Sequence, residues 1–243
     1  MDFKAIIDPK ARNSSGCAVV GIFEDGDLGV AARQLDAQMG GMLGKLHGAG
    51  DLSGKLGDTL LLARPPGAAA ERVLIVGLGA RAGFGRKQYR KSLQSAVTAL
   101  LKTGARNAAV YLPLEEPADL DVQYRARFVV EALFTQAYRI PDLKTGNKPK
   151  PVHLTAVKVA VADAKALKSA ERGIDIGTAV ASGLKFSRDL ANLPPNLCTP
   201  TYIGSRAQQL ARDWPSIRTK VLGAAQIKAL KMGAFMAVTR GSA

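Results

Sequence analysis

This 243-residue sequence contains only two cysteines, Cys17 and Cys198, and only two histidines, His47 and His153. The cysteines lie far apart and form no C-x-x-C pair, so they indicate neither a disulfide framework nor a redox motif. Two histidines exclude an H-E-x-x-H motif and are too few for a histidine-rich metal site. Neither histidine has the neighbouring serine or aspartate that a catalytic triad requires.

Aromatic residues and long apolar runs are also scarce. Aromatics make up 5% of the chain and hydrophobic residues 47%, which predicts a core of small aliphatic side chains. No uncharged apolar run approaches the roughly 18–20 residues that span a membrane. The N-terminal sequence MDFKAIIDPK carries charges and lacks the apolar region of a signal peptide. We therefore expect a cytoplasmic protein with no membrane partner.

Acidic residues are few in the later part of the chain. The net charge is +14, and residues 1–60 hold 6 Lys/Arg and 8 Asp/Glu, whereas residues 61–243 hold 28 and 12. Such asymmetry is typical of proteins with an anionic partner, including nucleic acid. It arises equally where balancing acidic residues belong to another part of a larger protein or assembly.

Short apolar runs alternate with amphipathic segments over the first two thirds of the chain. The runs read as strands in CAVVGIF, GDTLLLARPPG, ERVLIVGLG, NAAVYLP and VHLTAVKVAVA, and helices are expected over residues 28–46, 86–102 and 119–139. The segment KTGNKPKP reads as a loop because glycine and proline interrupt both patterns. Alternation of this kind predicts a sheet covered by helices on both faces, so residues 1–162 form one α/β domain.

A long helix is expected next, with Asp163 as its N-cap. Three glycines, Gly173, Gly177 and Gly183, interrupt its apolar stripe, and each costs such a helix up to about 1 kcal/mol relative to alanine. Their expected use is close packing against another element.

The glycine pair Gly77-x-Gly79 follows a predicted strand and precedes a predicted helix. A dinucleotide site uses such glycines to bring a pyrophosphate to the helix N-terminus. Here the third glycine, Gly83, falls one position late, and no acidic residue ends the next strand. A turn that closes a βα unit is therefore the favoured interpretation, and nucleotide binding remains an alternative.

The same segment holds a cluster of basic side chains, namely Arg81, Arg86, Lys87, Arg90 and Lys91. The last four have the spacing of one helix face. A solvated face is the simpler interpretation, and the functional alternative is an anion-binding or DNA-binding surface. The loop lysines Lys144, Lys148 and Lys150 would extend that surface if the loop lay nearby.

The proline-rich stretch SRDLANLPPNLCTPTYIG, residues 187–204, interrupts this helical region. Thr199 followed by Pro200 predicts a helix start, since threonine caps well and proline suits the first helical position. A helix, a strand in IRTKVL, a helix and a strand in AFMAV are then expected. Residues 196–243 thus begin a second α/β pattern that is too short to bury a core by itself.

The stretch RDLANLPPNLCTPTYIG and the later MGAFMAVTRGSA, in that order, resemble the cytosolic leucyl aminopeptidases. The resemblance implies an N-terminal α/β domain with a macro-like fold and a mixed sheet flanked by helices. It also implies a linking helix over residues 163–195 and the start of a catalytic domain over residues 196–243. Members of this family are hexamers that release N-terminal residues from peptides, using two divalent metals, zinc or manganese.

The family's metal ligands are a lysine, aspartates and a glutamate in segments that this sequence does not contain. No carboxylate at all lies between Trp214 and Ala243. No catalytic or metal-binding residue can therefore be assigned, and we expect the chain by itself to be inactive as a peptidase. The alternatives are a DNA-binding accessory module that uses the basic surface and a nucleotide-binding α/β domain.

Overall fold

A computed structural model of the protein describes residues 1–140 and 152–240. The chain divides into two compact units, of which the first is Met1–Phe186 and the second begins at Ser187. The predicted loop KTGNKPKP, with Lys144, Lys148 and Lys150, lies outside the described residues.

The first unit is built on one six-stranded mixed sheet. Its strands are β1 (Asp2–Ile7), β2 (Ala18–Ile22), β3 (Thr59–Ala63), β4 (Arg72–Gly77), β5 (Asn107–Val110) and β6 (Ala156–Val161). They lie in the order β1-β6-β5-β2-β4-β3. All neighbours are parallel except β3, which runs antiparallel to β4.

The described part of the chain contains eight α-helices. They are α1 (Val30–Gln38), α2 (Met42–Gly48), α3 (Arg86–Leu100), α4 (Val122–Ala137), α5 (Ala164–Ala191), α6 (Pro200–Asp213), α7 (Ala224–Ala229) and α8 (Gly233–Thr239). A short 3₁₀ turn, Leu112–Leu114, follows β5.

Helices cover both faces of the sheet. On one face of the sheet, helices α3, α4 and α5 pack in an apolar cluster that includes Leu74 and Val76. On the other face, α1 and α2 pack in a cluster that includes Val73 and Ile75. Strand β4 is therefore buried on both sides, which explains its uninterrupted apolar sequence. The predicted α/β fold with a mixed sheet flanked by helices is confirmed.

The helix expected over residues 28–46 is two helices. Gly40 and Gly41 both adopt left-handed backbone conformations, with φ of 66° and 77°, and they separate α1 from α2. Glycine takes this conformation without the steric penalty that other residues meet. The apolar spacing continues across the break because both helices bury their stripes against the same sheet face.

The edge strand β1 was not expected from the sequence. Its residues pair in parallel with β6, from Asp2 opposite Ala156 to Ile7 opposite Val161. Charges at Asp2 and Lys4 interrupt its apolar pattern, because an edge strand keeps part of its surface in water.

Helix α5 begins as predicted, since the Asp163 carboxylate accepts a hydrogen bond from the Ala166 N–H at 2.8 Å. Gly173 lies against the backbone carbonyl of Gln123 on α4, and a Cβ at Gly177 would lie 2.9 Å from the Val130 Cβ. Close packing is thus confirmed at these two glycines. It is wrong for Gly183, which has open space around it.

The helix start at Thr199–Pro200 is confirmed. Thr199 Oγ1 accepts a hydrogen bond from the Tyr202 N–H at 3.2 Å, and α6 begins at Pro200. The two strands expected beyond it are wrong: IRTKVL has no regular structure, and AFMAV lies within helix α8. Alternating apolar residues form a strand only where a neighbour supplies hydrogen bonds, and the described residues of this unit supply none.

Candidate functional site

The strand order creates a topological switch point at the carboxyl edge of the parallel strands. The chain leaves β2 toward helix α1 on one face, whereas it leaves β4 and β5 toward α3 and α4 on the other. In open α/β sheets, ligands bind outside the carboxyl ends of strands where the connections diverge in this way. The residues that follow β2, β4 and β5 are therefore the first place to look for a site.

A buried carboxylate, Glu115, lies near this switch point. It follows β5 and the 3₁₀ turn, and its Oε1 accepts a hydrogen bond from the Val30 N–H at 2.8 Å, at the start of α1. Gly29 leaves the room for this contact, because a Cβ there would collide with the carboxylate. The side chain thus supplies the N-terminal cap that Gly29 lacks.

Burial raises the pKa of Glu115 to about 7, against the opposing effect of its hydrogen bond from Val30. Arg81 and Arg33 lower this pKa and Asp27 raises it. These three residues are linked to one another, since the Asp27 carboxylate pairs with both guanidinium groups.

Arg125 fixes the backbone that carries Glu115. Its guanidinium is buried and donates to the carbonyl oxygens of Pro113, at 2.9 Å, and of Glu115 itself. The Tyr89 hydroxyl donates to the Arg125 carbonyl at 3.1 Å, and burial raises the pKa of that hydroxyl. Sequence reasoning missed this group. The signal was the pair of carboxylates in YLPLEEP directly after a buried strand.

The glycine pair is closed to a nucleotide. Gly77 lies against the backbone carbonyls of Gly54 and Lys55, so the approach that a pyrophosphate needs is filled. The N-terminus of α3 is also occupied, because Asp119 Oδ1 accepts a hydrogen bond from the Arg86 N–H at 2.6 Å. The protein's own carboxylates thus hold the N-termini of both α1 and α3, where phosphate would bind.

Four of the predicted basic residues do come together. Arg86, Lys87, Arg90 and Lys91 line one open cleft of about 760 Å³, with Leu56, Gln94 and Asp119 as its other lining residues. Two of the four are engaged with neighbouring side chains. The Arg86 Nε lies 3.8 Å from an Asp119 oxygen, and Arg90 lies over the Phe128 ring at 4.8 Å from its centroid.

Lys87 and Lys91 make no ion pair within the described residues, which leaves their ammonium groups available to an anion. Arg81 does not line the cleft. It pairs with Asp27, and its guanidinium lies 4.0 Å from the centroid of the Phe23 ring.

The Cys17 thiol and the His47 imidazole are both constrained by their surroundings. Cys17 is buried, and burial raises the pKa of its thiol to about 11, which disfavours the nucleophilic thiolate. The His47 Nδ1 lies 2.7 Å from the Leu52 carbonyl oxygen, which fixes the ring against its own loop.

Metal ligands do not cluster in the described residues. Within residues 1–140 and 152–240, no three His, Cys, Asp or Glu side chains are placed to hold one metal ion. The same ranges contain no helix that is both long and apolar enough to cross a membrane.

Sequence comparison identifies the family. The N-terminal domain of the cytosol aminopeptidase family matches residues 19–147, more than half of the chain, and the catalytic domain of that family matches residues 185–243. The chain belongs to the cytosol aminopeptidase family. This confirms the resemblance seen in the proline-rich stretch and the segment that ends the sequence.

Curated relatives of the aminopeptidase family match nearly the whole chain. A probable cytosol aminopeptidase of Ralstonia nicotianae is 40% identical over 94% of this chain, which covers 46% of the relative. Another, from Halorhodospira halophila, is 36% identical over the full chain and 48% of the relative. The chain thus spans about half the length of the curated relatives that it matches.

Two solved structures share the fold of this chain. A tomato leucine aminopeptidase variant matches with a TM-score of 0.76 at 23% identity, over 95% of this chain and 46% of the other. The bottromycin maturation enzyme BotP matches with a TM-score of 0.70 at 24% identity, over 94% and 44%. At these identities the likeness concerns the fold.

Proposed function

We propose that this chain is the N-terminal domain, the linking helix and the opening of the catalytic domain of a cytoplasmic leucyl aminopeptidase. In this proposal residues 1–162 are a macro-like regulatory and oligomerisation domain, and residues 163–195 link it to the peptidase domain that begins at 196. The complete enzyme removes N-terminal amino acids from peptides and assembles as a homo-hexamer.

The observation that carries the proposal is the order of the two family matches. An N-terminal domain match over residues 19–147 is followed by a catalytic-domain match over residues 185–243. The chain covers only 46–48% of the length of two curated relatives, so each relative is about twice as long.

The surface of the second unit also supports it. Residues 197–238 expose large apolar side chains, namely Leu197, Tyr202, Ile203, Trp214, Ile217, Val221, Leu230, Met232, Phe235 and Val238. So much exposed apolar surface on a short segment is typical of a face that another part of a domain covers.

The complete enzyme would use two divalent metals, manganese or zinc. We place their ligands in catalytic-domain sequence outside this chain, since the described residues bring no ligand cluster together. The 243-residue chain by itself is therefore inactive in this proposal.

A pair of proteins tests this function. The first is the 243-residue chain, and the second joins the same residues to the remaining catalytic sequence of the Ralstonia nicotianae relative. With Mn²⁺ or Zn²⁺ present, we expect the joined protein to release leucine from leucyl p-nitroanilide, and EDTA to abolish that release. The chain alone should react no faster than metal in buffer.

Metal-dependent release by the chain alone, purified to a single species of 25.5 kDa, would contradict the proposed inactivity. A joined protein that unfolds cooperatively but hydrolyses no leucyl substrate would contradict the aminopeptidase assignment itself.

A second candidate function is binding of an anion such as the DNA backbone. It rests on one observation, the convergence of Arg86, Lys87, Arg90 and Lys91 on a single cleft. Against it, the Asp119 carboxylate lies in the same cleft and pairs with Arg86. The two lysines are therefore the residues on which phosphate contacts would depend.

A gel-shift titration with duplex DNA at increasing salt tests this candidate. Phosphate contacts predict a steep fall in affinity with salt, and the double variant Lys87→Glu/Lys91→Glu should bind far more weakly at low salt. The matched control is Lys165→Glu/Lys168→Glu on α5, which makes the same change in net charge. An equal loss of DNA affinity in both double variants would indicate nonspecific electrostatic attraction. If the unmodified chain does not bind DNA at low salt, this candidate function is excluded.

A further inference from the structure

Helix α5 lies directly against α4 at Gly177 and becomes uncovered farther along. A Cβ at Gly177 would lie 2.9 Å from the Val130 Cβ, which shows how close the two helices come. The same face of α5 continues through Ala181 and Leu184, at four- and three-residue spacing. Leu184 nevertheless exposes 42% of its surface, so the described residues leave this part of the face open.

A pocket of about 170 Å³ lies beside the open part of α5, between helices α3, α4 and α5. Every residue that lines it belongs to the first unit. Its apolar lining comes from all three helices and consists of Leu93, Phe128, Ala132, Val180, Ala181 and Leu184. An engineered apolar cavity of about 150 Å³ binds benzene, so this pocket has room for one side chain of the size of leucine.

Two opposite charges border the pocket. The Arg90 guanidinium, on α3, lies over the Phe128 ring at 4.8 Å from its centroid. Glu131 follows Phe128 by three residues on α4, so it lies on the same side of the helix, about 4.5 Å farther along the axis. Both charged residues line the pocket, together with three neutral polar side chains. A positive and a negative group thus lie about one helical turn apart beside an apolar lining.

Both charged groups can accept a further partner. Glu131 Oε1 accepts a hydrogen bond from Arg127 Nε at 2.5 Å, and the other carboxylate oxygen bonds to none of the described residues. Arg90 makes no ion pair within the described part of the chain. A guanidinium stacked on a ring keeps its N–H edge free, and that edge binds a carboxylate through two parallel hydrogen bonds.

We propose that this pocket binds a free α-amino acid with a branched aliphatic side chain, such as leucine. Arg90 binds the α-carboxylate, Glu131 binds the α-ammonium group, and the side chain fills the apolar lining. A carboxylic acid would leave Glu131 without a partner, and an amine would leave Arg90 without one. An α-amino acid carries both charges on the carbon that bears the side chain, so it satisfies all three parts of the pocket.

The same class of molecule is the product of the proposed peptidase, which makes the pocket a candidate for product feedback. The binding inference does not rest on that proposal, because it uses residues of the first unit only. Since we expect the 243-residue chain to be inactive as a peptidase, its binding of an amino acid is tested independently of catalysis. Leucine has few atoms and the pocket is open to solvent, so we expect a dissociation constant on the order of millimolar.

A chemical-shift titration of the ¹⁵N-labelled 243-residue chain measures the binding. With L-leucine we expect saturable shifts of the Ala132 and Ala181 amide signals. Three related compounds should each bind about tenfold more weakly, because each leaves one part of the pocket unmatched. They are leucinamide, which lacks the carboxylate, 4-methylpentanoate, which lacks the ammonium group, and glycine, which lacks the side chain.

Two results of this titration would overturn the proposal. One is the absence of saturable shifts at about 20 mM L-leucine, a concentration well above the expected dissociation constant. The other is equal affinity for leucine and for either leucinamide or 4-methylpentanoate. Both results come from the unmodified chain, so they decide the question even if a variant fails to fold.

Charge-removing variants assign the two ends of the ligand. Arg90→Gln should abolish the preference for leucine over leucinamide, and Glu131→Gln should abolish the preference for leucine over 4-methylpentanoate. The matched controls are Lys91→Gln on α3 and Glu171→Gln on α5, which make the same charge changes outside the pocket and should leave both preferences intact. Preferences that persist in Arg90→Gln and Glu131→Gln, with melting temperatures unchanged, would contradict the assignment.

Discussion

The two units of the chain bury their side chains to very different extents. In the first, Met1–Phe186, helices on both faces of the sheet fill two apolar clusters. In the second, helices α6, α7 and α8 contain no buried residue, although α6 has a clear apolar stripe and a well-formed cap. Caps and turns are local and form from a few neighbouring residues, whereas a core requires partners from distant parts of the chain.

The same substitution made in both units tests most directly whether they differ in burial. Ile75 on β4 has no exposed surface, and Ile203 on α6 is 47% exposed. Ile75→Ala should lower the free energy of unfolding by about 2–5 kcal/mol, because it removes buried methyl groups and leaves a cavity. Ile203→Ala should change it by less than about 0.5 kcal/mol. Urea denaturation of both variants measures the difference.

If Ile75→Ala and Ile203→Ala lowered the free energy of unfolding by comparable amounts, α6 would be packed in the isolated chain. The account of an incompletely covered second unit would then be wrong.

The buried Glu115 gives the first unit a pH-dependent stability. Its pKa is about 7 in the folded protein and 4.5 without burial, so the folded state holds the proton more tightly. The stability that Glu115 contributes is therefore present below about pH 4.5 and is lost as the pH rises to about 7. A shift of this size corresponds to about 3 kcal/mol.

Glu115→Gln keeps an acceptor for the Val30 N–H and removes the charge. We expect this variant to gain stability relative to the unmodified chain as the pH rises from 5 to 8, by up to about 3 kcal/mol. Thermal melts across that range give the difference. A difference that stays constant with pH would show that the Glu115 carboxyl does not titrate in this window.

Two glycines on α5, Gly173 and Gly183, should differ in how replacement by alanine changes stability, and this difference is the smallest of those predicted. Gly173→Ala places a Cβ against the Gln123 carbonyl and should destabilise the first unit by about 1–3 kcal/mol. Gly183→Ala meets open space and should stabilise the helix by up to about 1 kcal/mol. The melting temperature should fall for Gly173→Ala and rise for Gly183→Ala. A lower melting temperature for Gly183→Ala would reveal a neighbour packed against that end of the helix.

Local signals in the sequence predicted much of the fold. Uniformly apolar β4, the Asp163 cap of α5 and the Thr199–Pro200 start of α6 all form where their residue types predict, because each depends on nearby residues. The break at Gly40–Gly41 was missed because both helices keep one apolar stripe against the same sheet face. The strand expected in AFMAV was wrong because its apolar residues lie within α8 instead.

The candidate site was only partly predictable. The spacing of Arg86, Lys87, Arg90 and Lys91 on one helix correctly indicated a shared face, but the salt bridge that holds Arg81 at Asp27 joins distant segments. Glu115 and Arg125 were missed for the same reason. Their roles depend on β5 lying beside β2, and this neighbourhood is known only once the strand order is known.

Hydrogen exchange followed by mass spectrometry tests the central claim most directly, namely that residues from 196 onward begin a catalytic domain whose core needs further sequence. In the 243-residue chain, β4 and α3 should be strongly protected, whereas α6 should exchange with little protection. In the protein joined to the remaining Ralstonia nicotianae catalytic sequence, α6 should become as protected as β4. Protection of α6 equal to that of β4 in the 243-residue chain alone would contradict the account.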